Sequence, residues 1–182
     1  MSTRDDILAA ALEVLEDGGI AQFSTRIVCA RAKVTAPTLY HHFGSADGLL
    51  SAVIALAFQQ FLASKRAAVQ SSDPQTALRE GWDDYVRFAA ARPKLYAAMA
   101  ARLLGGAEIE AAAQGNAALR AMVEALDKRL ALPVESGAQL VWASANAAAQ
   151  LYTDAYAKNG LEPEPAVIEG MREAMLRVLL TR

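Results

Sequence analysis

The sequence has few of the residues from which disulfide frameworks, redox centres and metal sites are built. Its 182 residues include one cysteine, Cys29, and two histidines, His41 and His42. A single cysteine excludes an internal disulfide and is typical of a reducing compartment, so we expect a cytoplasmic protein. The two histidines are adjacent, and neighbouring side chains of a helix diverge, so they do not make a metal site by themselves. We expect no metal and no other cofactor.

The chain also lacks an excess of positive charge, a secretory signal and a long apolar run. Its formal net charge is −2, but only the face that meets DNA must be basic, so this value does not exclude a nucleic-acid binder. Asp5 and Asp6 stand where a signal sequence would be basic and then apolar. A stretch of about 18 apolar residues, which would be needed to span a membrane, does not occur. We therefore expect no membrane partner.

Strand patterns are almost absent, whereas apolar residues recur at helical spacing along the chain. With 54% hydrophobic and 21% charged residues, the composition is that of an ordinary globular protein. We predict an all-α protein of about nine helices. The predicted helices cover residues 3–17, two short segments within 24–43, 46–70, 74–92, 93–104, 107–131, 134–159 and 164–180. Gly18 and Gly19 are predicted to end the first helix, and Gly115 and Asn116 to weaken the seventh.

Residues 24–43 predict two short helices joined by a very short turn. Ser24 or Thr25 is suited to cap the first helix. Thr35 is suited to cap the second, and Pro37 falls in its first turn, where the missing N–H costs no hydrogen bond. Two helices joined by about three or four residues form a helix-turn-helix, whose second helix is built to lie in the major groove of DNA.

The two C-terminal helices have apolar residues on more than one side. In the alanine-rich segment 134–159 the large apolar residues are spread around the helix, and the segment 164–180 adds a further apolar surface. A helix that is apolar all round must be covered all round. We predict that these two helices pair with their copies in a second chain, as a four-helix bundle with two-fold symmetry. A central place in a monomeric bundle is the alternative.

A continuous set of motifs occupies residues 1–50. It consists of the first helix with its Gly-Gly end, Phe23-Ser24-Thr25, the segment Val34–Phe43 with its Thr-Leu-Tyr-His-His-Phe run, and the segment Gly44–Leu50. In these motifs the chain resembles the TetR family of transcriptional regulators. Beyond them it is similar to the family only in helix number, length and the apolar C-terminal pair. The resemblance implies an N-terminal three-helix DNA-binding domain, residues 1–46, and a C-terminal helical bundle for ligand sensing and dimerisation, residues 47–182.

The resemblance also implies roles for individual residues of the helix-turn-helix. Those implied to face bases or sugars of DNA are Thr35, Ala36, Thr38 and His41. Those implied to face phosphates are Ser24, Thr25, Arg26, Tyr40 and His42. The first three of these lie at the start of a helix, where free N–H groups favour an anion. Core packing is the alternative for Tyr40, and helix capping alone is the alternative for Thr35.

Two positions depart from the family pattern. Lys33 stands in the turn where the family usually has glycine, and Ala46 follows the serine where the family usually has lysine. We expect Lys33 to be strained if its φ is positive, although it adds a cation, and we expect Ala46 to remove a phosphate contact. Up to residue 50 the chain has four basic and six acidic residues. Its non-specific affinity for DNA should therefore be modest and sensitive to salt.

The helices that follow carry large apolar rings and a few hydrogen-bonding groups, as small-molecule sites do. The candidate ligand-binding residues are Trp82, Tyr85, Phe88, Tyr96, Met99, Leu103, Trp142, Asn146 and Gln150. Because few of their neighbours are charged, we predict a mostly apolar or aromatic ligand. Asn146 and Gln150 are the strongest candidates, since buried amides need partners. The alternatives are core packing for each residue and, for the two amides, contact across the dimer.

No arrangement typical of an enzyme occurs in the sequence. Both histidines lie in the second helix of the motif, and no glycine-rich phosphate loop is present. Cys29 is either a small core residue or a thiol activated by Arg26 and Lys33, three residues before it and four after. With the resemblance, these patterns predict a homodimeric repressor that a small ligand releases from a palindromic operator. The alternative is a helical ligand carrier with a vestigial helix-turn-helix.

Overall fold

The computed structural model describes residues 2–157 and 161–180, and all regular secondary structure in these residues is helical. The α-helices are α1 (Thr3–Gln22), α2 (Thr25–Ala32), α3 (Ala36–Phe43), α4 (Ala46–Ala68), α5 (Pro74–Ala91), α6 (Pro93–Leu104), α7 (Glu110–Glu124), α8 (Val134–Ala157) and α9 (Pro165–Leu179). A short 3₁₀ helix, Asp127–Arg129, follows α7. The prediction of an all-α chain is confirmed. The predicted end of the eighth helix, at residue 159, lies outside the described residues.

The chain forms two compact units. The first comprises Met1–Gln60 and Lys94–Glu110, and the second comprises Phe61–Pro93 and Ala111–Arg182. Helix α4 therefore contributes residues to both units, and α6 belongs almost entirely to the first. These units differ from the predicted division at residues 46 and 47. That division separates DNA binding from ligand sensing, and it stays a prediction.

The core of the first unit is built on α1. Ile7, Ala11 and Leu15 of this helix are completely buried. The eight-residue helices α2 and α3 each add one buried side chain, Val28 and Leu39, and both of these are also inaccessible to solvent. Helices this short are unstable in isolation, so α2 and α3 depend on their packing against α1 and each other. Their other faces are left for contacts outside the chain.

Side chains cap both helices of the motif. Ser24 Oγ accepts a hydrogen bond from the backbone N–H of Ile27, at 3.3 Å. Thr35 Oγ1 accepts one from the N–H of Thr38, at 3.4 Å. Both caps were predicted, and Ser24 rather than Thr25 is the cap of α2. Each satisfies an N–H group that has no partner inside its helix.

The regular part of α1 ends at the Gly18-Gly19 pair, as predicted, with a kink at Gly19. This glycine has φ 65° and ψ −169°, and the chain then continues in helical conformation to Gln22. Lys94 Nζ, from α6, donates a hydrogen bond to the carbonyl oxygen of Asp17. A carbonyl group left without a partner at the bend is therefore satisfied by a distant side chain. The residues up to Gln22 thus form a separate helical turn beyond the glycine pair.

Helix α7 is shorter than predicted and is broken at another place. Gly115 and Asn116 lie inside the helix, which begins at Glu110 rather than 107. A Cβ atom at Gly115 would lie 3.1 Å from Leu62 Cδ2, so glycine permits a close approach of α4 to α7 here. The break comes instead between Glu124 and Asp127, whose φ is 48°. Packing against α4 thus stabilises a helical glycine that local preference disfavours.

The core of the second unit lies between α5, α8 and α9. Its buried members include Leu78, Trp82, Val86, Val141, Ala145, Ala148, Leu176 and Leu179. The alanines of α8 have short side chains, which allow α5 and α9 to approach it closely. On other sides of the same two C-terminal helices, large apolar side chains are exposed: Trp142 by 48%, Leu151 by 37%, Val167 by 48% and Val178 by 56%.

Among residues 2–157 and 161–180, one helix is long and apolar enough to cross a membrane by length and composition alone. It is the segment Ala46–Lys65 of α4, with 20 residues and a mean hydropathy of 1.5. Leu49, Val53 and Ile54 of this segment are completely buried in the protein. Core helices pass the same test, so the segment is weak evidence for a membrane span.

Candidate nucleic-acid interface

Helix α3 has one buried side and one exposed side. Leu39 is completely buried, whereas the adjacent Tyr40 is 43% exposed. The remaining predicted DNA contacts of this helix are exposed at Thr35, Ala36 and His41 and half-buried at Thr38 and His42. Leu39 therefore anchors the helix while its neighbours face outward. The exposure of Tyr40 argues against the alternative that it belongs to the core.

The predicted contacts of α2 lie close to those of α3. Thr25 Oγ1 and Tyr40 OH are 3.5 Å apart, which brings the start of α2 next to the outer face of α3. Thr35 Oγ1 and Thr38 Oγ1 are hydrogen-bonded at 2.9 Å. Hydroxyl groups from both helices thus form one polar surface, and the unpaired N–H groups at the start of α2 adjoin it. Such a surface is suited to phosphate and base edges.

The basic side chains near α2 and α3 differ in whether they are already paired within the protein. Arg31 is paired with Asp17, at 2.7 Å between Nη1 and Oδ2, and Arg4 lies over the ring of Phe43. In contrast, Arg26 and Lys33 are exposed and form no ion pair with any residue that the structure describes. Two free cations next to the hydroxyl surface are consistent with a small number of phosphate contacts and a modest salt dependence.

The turn between α2 and α3 places Lys33 in the left-handed region. Its φ is 56° and its ψ is 40°, and its backbone N–H caps α2 by donating to the carbonyl of Cys29. The condition under which strain was expected at this departure from the family pattern is therefore met. A side chain with a Cβ atom is strained in this conformation, whereas glycine adopts it freely.

We expect Lys33→Gly to raise the free energy of unfolding by about 0.5–1 kcal/mol, since it removes the left-handed strain at a modest cost in chain entropy. Urea unfolding followed by circular dichroism measures this change. Lys33→Asn is the matched control, because asparagine tolerates the same conformation and also lacks the charge. It should recover part of the gain. A glycine variant no more stable than the parent protein would contradict the strain at this turn.

Hydrogen bonds from α6 hold the first turn of α4, which directly follows α3. Arg102 of α6 donates two hydrogen bonds to Asp47, at 2.9 Å and 3.0 Å, and a third to Ser51. These bonds hold the pKa of the Asp47 carboxyl below its usual value. At the same junction a Cβ atom at position 48 would overlap the carbonyl oxygen of Phe43, so Gly48 allows α4 to start close against the end of α3.

The nine predicted ligand-binding residues are divided between the two units. Tyr96, Met99 and Leu103 belong to the first unit, and the other six belong to the second. Trp82 is buried, and its Nε1 donates to Ser144 Oγ at 2.9 Å. Tyr85 OH donates to Asn146 Oδ1 at 2.8 Å. Within the second unit, α5 and α8 therefore bring rings and an amide together, as the prediction requires.

Other members of the set lie at the surface. Leu103 and Trp142 are exposed by 37% and 48%. Gln150 is exposed as well, and its amide donates to Asp154 Oδ1 at 2.8 Å. Asn146 is half-buried and also donates to the carbonyl oxygen of Trp142 at 3.0 Å. The two amides thus have different surroundings, and only Asn146 adjoins the buried rings. The ligand-binding role of all nine residues stays a prediction.

Two charged residues among these rings were not identified from the sequence. Lys65 Nζ lies 5.4 Å from the centre of the Phe61 ring and 5.3 Å from that of Tyr85. Asp84 is only 6% exposed. Burial lowers the pKa of Lys65 from 10.5 to about 8, against the opposing effect of the Asp84 charge. The sequence contained a signal for Lys65, because this residue continues the helical spacing of the apolar Phe58 and Phe61.

Comparison with known proteins gives a family for this architecture. Residues 7–53 match the family described as "Bacterial regulatory proteins, tetR family". A crystal structure of a TetR-family transcriptional regulator from Pectobacterium atrosepticum is similar with a TM-score of 0.78 and 25% identity, over 99% of this chain and 95% of that one. The family match covers residues 7–53, and the likeness to this solved structure extends over nearly the whole chain.

Curated relatives match only part of the chain. The HTH-type transcriptional regulator UidR of Escherichia coli K12 is 34% identical over 68 residues, which are 37% of this chain and 35% of UidR. The HTH-type transcriptional repressor NicS of Pseudomonas putida is 33% identical over 90 residues, or 47% of this chain and 42% of NicS. The matched segment thus spans less than half of either relative.

These findings bear on the predicted chemistry of the chain. The family consists of regulators, which agrees with the prediction that the chain is not an enzyme. Among the residues that the structure describes, no group of three or more histidine, cysteine, aspartate or glutamate side chains could hold a metal ion. Cys29 lies in α2 and is half-buried. This exposure favours neither the core residue nor the activated thiol that were predicted as alternatives.

Lys65 should make the stability of this protein depend on pH. Its pKa is about 8 in the folded state, against 10.5 without burial. Between these two pH values the unfolded chain binds more protons, so the free energy of unfolding rises with pH. Relative to Lys65→Met, the native protein should gain about 2 kcal/mol between pH 7 and pH 10. Urea unfolding at several pH values measures this gain.

The exposed Lys128 provides the matched control for that experiment. Lys128→Met makes the same substitution outside the ring cluster, in the 3₁₀ helix. Its stability difference from the native protein should stay constant over the same pH range. A constant difference for Lys65→Met as well would mean that burial does not depress the pKa of Lys65.

Proposed function

We propose that the protein is a transcriptional repressor that acts in the cytoplasm and binds operator DNA as a homodimer. The observation that carries this proposal is the exposed polar surface of α2 and α3, held from behind by the buried Leu39. Residues 1–46 would form the DNA-binding domain, and residues 47–182 would sense the ligand and dimerise. The repressor NicS, which is similar over 47% of this chain, supports repression rather than activation.

In this proposal α3 enters the major groove and α2 contacts the backbone of the same duplex. The residues that would contact bases or sugars are Thr35, Ala36, Thr38 and His41. The residues that would contact phosphates are Ser24, Thr25, Arg26, Tyr40 and His42. The short distance between Thr25 and Tyr40 supports a shared phosphate contact for the two helices. Lys33 would add a further cation beside the backbone.

The exposed side chains of α8 and α9 support dimerisation. Trp142, Leu151, Val167 and Val178 are large and apolar, and each is more than a third exposed. Burying them against the same face of a second copy would give a closed, two-fold interface. Two α3 helices related by a two-fold axis would fit a palindromic operator with half-sites about one helical turn apart. Sedimentation velocity measures the dimer directly.

A small, mostly apolar or aromatic effector would release the repressor. The six predicted ligand residues of the second unit offer the best-supported site, because Tyr85 and Asn146 already meet there beside the buried Trp82. Such an effector must bind the form that does not bind the operator more tightly than the form that does. Helix α4, which contributes residues to both units, would transmit the change to the DNA-binding domain.

Fluorescence anisotropy tests the proposal. The protein is titrated into labelled duplexes of the intergenic DNA upstream of its own gene and into a scrambled duplex, at two salt concentrations. We expect tight binding of the first duplex at two chains per site, with a salt slope that corresponds to few phosphate contacts.

The function is excluded only if two successive experiments fail. If the protein binds both duplexes equally and weakly, a selection from random DNA is the second experiment, because it can find a distant operator. If the selection also returns no preferred sequence, the repressor is excluded. A helical ligand carrier with a vestigial helix-turn-helix, which the acidic net charge of −2 favours, would then be the better description.

A further inference from the structure

We propose that Lys65 and Asp84 form the polar end of the effector site, and that the effector is an aromatic molecule with a neutral hydroxyl group, as in phenols. This inference rests on the proposed function, because it takes the second unit to bind an effector. It adds the chemical class of that effector. Both residues and the rings around them belong to the second unit.

The Asp84 carboxylate provides the first argument. Its side chain is only 9% exposed, and its Oδ1 makes a long ion pair of 3.4 Å with the exposed Arg87. Its Oδ2 is buried and accepts no hydrogen bond from the part of the chain that the structure describes. A buried carboxylate oxygen without a donor is costly, so this position favours a ligand that donates a hydrogen bond.

The Lys65 ammonium group provides the second argument. Its Nζ lies over the rings of Phe61 and Tyr85, at cation–π distances. Ring faces stabilise a cation but do not accept its hydrogen bonds as an oxygen does. Burial lowers the pKa of Lys65 to about 8, in agreement with these ring contacts. The position therefore favours a ligand oxygen that accepts a hydrogen bond.

A hydroxyl group meets both requirements. It carries one donor and two acceptor positions, so it can donate to Asp84 Oδ2 and accept from Lys65 Nζ. It adds no charge to a site where the two residues have opposite signs. A ligand carboxylate would place a second negative charge near Asp84, and a ligand amine would place a second positive charge near Lys65, each at low dielectric constant.

The surrounding rings indicate the rest of the ligand. Phe61 lies 5.4 Å from Tyr85 and 4.8 Å from Phe88, measured between ring centres. These are the distances of aromatic pairs, and a further ring can extend such a cluster. The same neighbourhood contains the hydrogen bond between Tyr85 and Asn146. An aromatic ring that bears the hydroxyl group therefore fits both the charged pair and the apolar wall.

Calorimetric titration of the DNA-free protein tests the proposal with four small probes. Phenol, benzoate, benzylamine and toluene share one aromatic ring and differ in the polar group. We expect phenol to bind at least tenfold more tightly than the other three, since a buried polar group left unpaired by a ligand costs about this much or more. Asp84→Asn and Lys65→Met should each weaken phenol binding about tenfold and reduce its advantage over toluene.

Asp127→Asn and Lys128→Met are the matched controls. They make the same substitutions at two exposed positions of the second unit and should leave phenol binding unchanged. Circular dichroism establishes that each variant is folded. If Asp84→Asn does not fold, Lys65→Met and the order of the four probes on the native protein still decide the question.

The outcomes separate this inference from the proposed function. Phenol binding no tighter than toluene or benzoate, or unchanged in both site variants, overturns the inference even if operator binding is intact. Absence of operator binding overturns the repressor and leaves a phenol-binding site standing. Phenol that binds as expected should also lower operator affinity in the anisotropy titration, and the Lys65→Met variant should need about tenfold more phenol for the same effect.

Discussion

Replacing Thr38 and Tyr40 together with alanine should lower the affinity for operator DNA about a hundredfold or more. Each polar contact to a base or phosphate contributes about 1–3 kcal/mol, and a dimer loses each contact twice. The fold should survive, because the buried side of α3 rests on Leu39 and Tyr40 is exposed. The backbone N–H of residue 38 also remains to bond the Thr35 cap.

Anisotropy titration of the double variant against operator and scrambled duplexes measures this loss. Thr3→Ala, an exposed position at the start of α1, is the control and should bind as the native protein does. If Tyr40 contacts a phosphate, the salt slope should also fall by about one per chain. Unchanged operator affinity in a folded double variant would show that these residues do not form the DNA contact.

Replacing Trp82 with alanine should lower the free energy of unfolding by about 3–5 kcal/mol. The side chain is 2% exposed and lies in the core between α5, α8 and α9. The variant leaves a large cavity and also removes the donor to Ser144 Oγ. Trp82→Phe keeps most of the ring volume and should cost less, about 1–2 kcal/mol, chiefly through the lost hydrogen bond and the smaller ring.

The second tryptophan of the chain is the control for this prediction. Trp142 is 48% exposed, so Trp142→Ala makes the same substitution outside the core. Urea unfolding by far-ultraviolet circular dichroism, at several protein concentrations, compares the two. Trp82→Ala should be destabilised at every concentration. Trp142→Ala should differ from the native protein mainly through dimer dissociation, and a core-sized loss independent of concentration would contradict its surface position.

The helix-turn-helix could be predicted from the sequence because local chemistry specifies it. Hydroxyl caps at Ser24 and Thr35 and a proline in the first turn fix where the two helices begin, whatever surrounds them. The left-handed conformation of Lys33 was considered only as a condition for strain, because the family usually has glycine at this position.

The features that were mispredicted depend on distant neighbours. Gly115 was expected to weaken α7, but it lies inside the helix, where Leu62 packs closely against it. Lys65 and Asp84 were overlooked since charged residues are usually at the surface, whereas the structure leaves Lys65 half-buried and Asp84 buried. Helical spacing gave a signal for Lys65, but it did not show that a buried carboxylate lies in the same neighbourhood.

The contacts of Arg102 have a consequence for the engineering of chimeric regulators. Exchange of DNA-binding domains at the boundary between residues 46 and 47 would keep Arg102 of α6 but replace everything before Asp47 and Ser51, its partners. Asp47 and Ser51 would then follow a foreign recognition helix, whose end has to fit closely against Gly48. We expect transplants to keep their operator preference only when donor and recipient share this junction, or when the donor segment includes α4 through Gln60 together with its own α6.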